Sequence, residues 1–191
     1  MKSTMSVLIS AALLLGALSY VGAITVTVKS PGTVTATGNG MAHTRIFQGT
    51  VTICGQGRLR VSSTAQVQIT AGTAGAPNTV KHRPGSKQSW VVYPQFNGTA
   101  IITGTDVHVF LHGKSISLSG QGAGRAHFIG TGSFTITTQG KPDQTGNWTP
   151  APAKKVKGKA YLTFWNSIRL VYGDYDFPNG KEDEEGEAEL P

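Results

Sequence analysis

The segment Lys154 to Trp165 reads KKVKGKAYLTFW, and strand periodicity sorts it into two faces. Val156, Gly158, Ala160, Leu162 and Phe164 fall on one side, while Lys155, Lys157, Lys159, Tyr161 and Trp165 form a row on the other. Ammonium groups spaced this way meet the carboxylates or phosphates of an extended anionic polymer, and the aromatic faces stack on its rings. The same pattern also suits an edge strand whose lysines discourage edge-to-edge aggregation. Arg58 and Arg60 make a smaller version opposite Leu59 and Val61, and Lys81, His82, Arg83 and Lys87 extend the basic surface. The candidate ligand-binding residues are therefore Lys155, Lys157, Lys159, Tyr161, Trp165, Arg58 and Arg60.

Other chemistry is thinly represented. His108 and His112 have a spacing that would share a metal on a helix. They sit among Val107, Val109 and Leu111 on a strand, where four residues span about 13 Å, too far for one ion. Asp174 to Gly180 begins like a calcium loop but is broken by Pro178. The glycine strings around Gly38, Gly55, Gly120 and Gly130 lack the helix start that a phosphate cradle needs, so turns and bulges explain them. A glycosidase pair would have to come from Asp106, Asp143, Asp174 and Asp176, and no G-x-S-x-G elbow occurs. The expectation is no catalytic residue, no metal site and no cofactor.

These side chains must be positioned by strands. Of 191 residues, glycine (25), threonine (23) and valine (15) make up a third, a composition hostile to helix and suited to sheet. Short alternating runs recur at 34–37, 50–54, 59–61, 67–69, 90–93, 99–103, 107–111, 116–118, 126–129 and 134–138, punctuated by Gly, Asn, Asp or Pro. The fold class is all-β: a short β-solenoid or β-helix-like domain, with a β-sandwich of jelly-roll type as the alternative. Phe47-Gln48-Gly49-Thr50 is echoed by Phe96-Asn97-Gly98-Thr99 and by Phe128-Ile129-Gly130-Thr131, at the unequal offsets of 49 and 32 residues. Either similar composition or stacked rungs, each opened by an F-x-G-T, accounts for the echo.

The run Ser115 to Ile136 (SISLSGQGAGRAHFIGTGSFTI) joins short strands through G-x-G-x-G-R and F-x-G-T-G-x-F. Across residues 47–138 the chain loosely resembles exported bacterial Gly/Thr-rich β-helix or adhesin-head-like proteins of unassigned function. The resemblance implies a surface-associated, non-enzymatic β-domain and transfers no site residue.

Charge and leader place the chain. The net charge is +7, but residues 24–181 carry sixteen cations against four aspartates, a charge of +12, and the last ten residues carry −6. Lys2, the apolar run Val7 to Leu18 and Val21-Gly22-Ala23 read as an export signal cleaved after Ala23, with a retained signal anchor as the other reading. The expected organisation is a signal peptide at 1–23, one all-β domain at 24–172 with a loop or linker at 140–153, and an acidic disordered tail at 173–191. Cys54 is the single cysteine, so stability must come from packing. The expected location is exported: periplasmic, cell-surface or extracellular, with no stable membrane span once the leader is removed.

Three functions follow as expectations. The first is a non-enzymatic cell-surface or extracellular-matrix protein with a structural, adhesive or assembly role, including self-association through strand 24–28. The second is a binding module for acidic polysaccharide or an anionic surface, with no specific nucleic acid expected. The third is a polysaccharide-degrading enzyme.

Overall fold

A computed structural model describes residues 26–81, 89–150 and 170–176. These residues form eight strands: β1 (Thr27–Ser30), β2 (Gly32–Ser62), β3 (Gln66–Thr73), β4 (Asn78–Lys81), β5 (Ser89–Thr138), β6 (Gln144–Asn147), β7 (Leu170–Tyr172) and β8 (Asp174–Asp176). The described residues contain no helix, and the fold is all-β. The alternating runs of the sequence fall within β2, β3 and β5.

β2 and β5 hold 31 and 50 residues. At about 3.3 Å per residue a straight strand of the latter length would reach roughly 165 Å, far beyond the span of a domain of this size, so both must bend. The register shows how. Residues 33–37 of β2 lie between 117–121 and 133–137 of β5; residues 41–46 lie between 107–112 and 124–129. Residues 50–54 lie between 99–103 and 117–121, and 58–62 beside 90–93 and 109–112.

The segments fall into two ladders. The first runs β6, 133–136, 33–37, 117–121, 50–54, 99–103, β3; the second runs β7, 124–126, 41–46, 107–112, 58–62, 90–93, β4. Every named pairing is antiparallel, and β2 and β5 pass repeatedly from one ladder to the other. The F-x-G-T echoes mark such crossings, and their phenylalanines are buried. Neighbouring echoes run in opposite directions: Thr50 faces Thr103, and Cys54 faces Thr99.

The crossings need glycine on both strands. At Gly49, φ is +140°, and an added Cβ would lie 2.0 Å from the Gln121 carbonyl oxygen; its neighbour Gly122 would in turn strike the Gln48 carbonyl. Gly40 and Gly130 repeat the arrangement. Backbones thus approach where no side chain fits. The glycine strings lie in continuous strand at bends, where turns and bulges were expected.

One core cluster draws on both ladders, with Val34, Val51, Ile53, Ile102 and Leu118 from the first and Ile46, Leu59, Val61, Val109 and Leu111 from the second. Each such side chain contributes about 1.5–3 kcal/mol by leaving water. Tyr172 enters this core, shares a hydrogen bond with Thr44 at 3.3 Å, and is pushed up to about 12 by burial.

Two expectations need correction. The loop or linker expected at 140–153 contains β6, paired with 133–136, followed by buried Trp148. The Trp148 indole donates to the Ser133 carbonyl at 3.0 Å and stacks on Phe128. Its Gly and Pro residues signal a loop, yet Pro142 and Pro150 flank an edge strand. Asp174–Asp176, assigned by charge to the acidic tail, form β8 and pair with β1. Lys29 meets Asp176 at 2.7 Å and Lys141 meets Asp174 at 3.7 Å, so these carboxylates have cations to join. The rest of the expected tail, and the leader at 1–23, lie outside the described residues.

Candidate functional site on the outer face of the second ladder

Alternation fixes what the second ladder turns away from the core. Ala42, Thr44 and Ile46 point inward, so His43, Arg45 and Phe47 point out; Val107, Val109 and Leu111 point inward, so His108, Phe110 and His112 point out. Arg125 and His127 alternate with Ala126 and Phe128, and Arg58 and Arg60 with Leu59 and Val61. Register then lines these positions up. His43 stands opposite both Phe110 and His127, Arg60 opposite Phe110 and Val92, and Arg45 opposite His108 and Arg125.

The rings stack across the strands. His43 lies 3.9 Å from Phe110 with planes 4° apart, and 5.7 Å from His127 at 11°. The Arg60 guanidinium continues the row, 5.8 Å from the Phe110 centroid and 5.3 Å from Trp90. In the next row the guanidinium of Arg45 sits 5.1 Å from the Phe47 ring and that of Arg125 5.5 Å from it, both within cation–π range. Arg125 Nε also donates to the Tyr175 hydroxyl at 3.1 Å, which ties β8 to this face.

Electrostatics divide the face in two. Arg45 Nε donates to Asp106 Oδ1 at 2.8 Å in a largely buried ion pair. Asp106 adopts φ +55°, a conformation that Asn and Asp tolerate better than other side chains. His43 Nε2 and His108 Nδ1 share a 3.1 Å hydrogen bond. Burial first, then His108, His127 and Arg45, hold the His43 imidazole well below its usual range, so it is neutral. At the other end, Arg58 is exposed and Arg60 half-buried, and neither makes an ion pair among the described residues. Burial and the nearby Arg58 charge both lower the Arg60 guanidinium from its usual value. His112, beside Arg58 in register, is exposed.

Of the residues singled out by sequence, Arg58 and Arg60 share this face and sit together. Lys155, Lys157, Lys159, Tyr161 and Trp165 lie outside the described residues, as do His82, Arg83 and Lys87. His108 belongs to the stacked network and His112 to the basic edge; the described residues contain no group of three His, Cys, Asp or Glu placed to hold a metal ion. Sequence reasoning did not mark Arg45, Phe110 or Arg125, found no role for His43 and His127, and named Asp106 only as a possible glycosidase acid. The signal was there: four segments of β2 and β5 carry His, Arg or Phe at every second position, alternating with apolar residues. Comparison of the chain with family models, with curated proteins and with solved structures finds no match.

Proposed function

We propose that this chain is a non-enzymatic, exported β-module of the cell surface or extracellular matrix, with an adhesive and structural role, that holds acidic polysaccharide. The observation that carries the reading is the Arg58–Arg60 pair. Two guanidiniums sit two residues apart on one face, one propped against Trp90 and Phe110, with no carboxylate among the described residues to neutralise them. Like charges held together without a counter-ion are stabilised by an anion from outside. Arg forks match the carboxylates of uronic acids bidentately, and the adjoining Trp90 ring adds apolar surface. Lys155, Lys157 and Lys159 belong to the same reading by sequence. The stacked histidines do not suggest catalysis: the nearby Ser62 hydroxyl bonds the backbone of His108, and Asp106 is engaged by Arg45.

The test is retention on an immobilised polyuronic acid at two salt concentrations. The expected result is binding that weakens as salt rises and falls about ten-fold in Arg58→Gln/Arg60→Gln. Binding that ignores both salt and the substitution rejects the reading.

A second reading, assembly through strand 24–28, draws on β1. Its Thr27 and Val28 pair with Asp176 and Tyr175 in a two-stranded sheet, which leaves an open edge among the described residues. Chromatography of the mature protein with and without residues 24–30 tests it, since assembly predicts a larger species only when the segment is present.

A further inference from the structure

The first ladder turns a different surface to solvent. Its outward positions line up in ranks across the strands. One rank reads Thr145, Thr135, Thr35, Ser119 and Thr52 and ends on the apolar Ile101. The next reads Asn147, Ser133, Thr37, Ser117, Cys54 and Thr99, and on the other side Thr137, Thr33, Gln121, Thr50 and Thr103 continue the pattern. None of these positions carries a charged or aromatic side chain. A shallow open trough runs between the first two ranks, lined by Thr35, Thr37, Ser117, Ser119, Ser133 and Thr135.

Strand geometry makes this a two-dimensional lattice. Hydroxyls repeat at about 4.8 Å across the strands and roughly 6.7 Å along them, twice the rise per residue. The hydroxyls of Thr35, Thr37, Ser117, Ser119 and Thr52 bond no described residue, so their donors and acceptors face outward. Threonine is restricted at χ1, so the threonine hydroxyls and methyls lose little freedom when something binds.

We infer that this face binds the ordered water of an ice crystal. The chemistry of the occupant follows from the face. Neutrality gives no grip on a polyanion, and the absence of rings at the ranks gives no stacking platform for a single sugar. A polysaccharide chain is one-dimensional and would use one rank, whereas the array repeats in two directions. An ice surface is a neutral lattice of alternating donors and acceptors, and each hydroxyl both donates and accepts. Methyl groups between the hydroxyls restrict water, and the trough gives it a place to lie. The site is separate from the Arg58–Arg60 edge, which belongs to the other ladder.

The experiment measures, on the full mature chain, the gap between the melting and growth temperatures of a single ice crystal, together with crystal shape. The expected result is a faceted crystal and a gap several-fold above buffer. Thr35→Tyr, at the centre of the array, should return the gap to the buffer value while circular dichroism is unchanged. Alkylating Cys54 with a bulky maleimide gives a second variant that needs no mutation and should do the same. Arg58→Gln/Arg60→Gln should leave the gap intact. A folded wild-type protein with only the buffer gap overturns the inference, as does a gap that survives both blocks. Retention on insoluble cellulose or chitin that those blocks abolish, without any effect on ice, also overturns it and assigns the face to a neutral polysaccharide.

Discussion

On the first ladder the outward residues of β2 are Thr33, Thr35 and Thr37; further along the same strand, on the second ladder, they are His43, Arg45 and Phe47. Thr35 and Thr37 are exposed, while His43, Arg45 and Phe47 are buried. One strand, one alternation and one shared core thus carry two unlike outer faces. Small hydroxyls need no protein partner because water satisfies them. Rings and guanidiniums withdrawn from water do need partners, and the second face supplies them through stacking, the Arg45–Asp106 pair and the His43–His108 hydrogen bond. The difference separates stability from surface chemistry: the buried rows of the second face are tied into the fold, and the first face, like the Arg58–Arg60 edge, is free to be read from outside.

The strongest way to break the comparison is to remove a crossing that both faces share. Gly49→Val places a branched side chain where even a Cβ would be 2.0 Å from a carbonyl oxygen, at φ +140°. A loss of about 4 kcal/mol or more is expected, seen as loss of the cooperative transition in urea. Phe110→Ala should cost about 3–5 kcal/mol, because the ring is buried between His43, Trp90 and Arg60. Thr35→Ala, its counterpart on the open face, should change stability by no more than about 0.5 kcal/mol. Equal effects of these two would erase the distinction between the faces.

Asp106→Asn keeps a side chain that tolerates the positive φ but removes the charge facing Arg45. It should destabilise by about 2 kcal/mol in the same denaturation measurement, less than a fully buried pair because Asp106 is partly exposed. A further effect comes from acid. His43 is held below its ordinary value in the folded chain, so the unfolded chain binds the proton first. Stability is fully present above about pH 6.5 and declines as the pH falls below it, by at most about 1.4 kcal/mol per unit for this one group. His43→Phe, which preserves the stack, should flatten that decline in urea midpoints compared at pH 7.5 and 5.5.

Much of the fold was legible beforehand. Alternation in Val34 to Thr37 or Val107 to Leu111 marks strands directly, since side chains at period two must face opposite sides. Arg58 and Arg60 were legible as a pair for the same reason. β6 was hidden, because Gln144 to Asn147 is too polar to show alternation and is held by the neighbouring edge of β5. The ring stack was hidden for a different reason. Each member announces its side of its own strand, but His43 meets Phe110 and His127 only through registers spanning long stretches of chain. Local spacing carries no information about such neighbours.

The amino-acid sequence by itself determined that this chain would be β throughout and which side of each strand would be apolar, because both follow from the geometry of a few consecutive residues. It also set where backbones could approach closely at the crossings, because glycine stands where an added Cβ would strike a carbonyl. The tertiary structure alone decided which strands would lie side by side. That choice gathered the threonines and serines into one lattice and the histidines, arginines and rings into another face. The physical reason is that register is set by packing the whole core at once, and no single segment holds it.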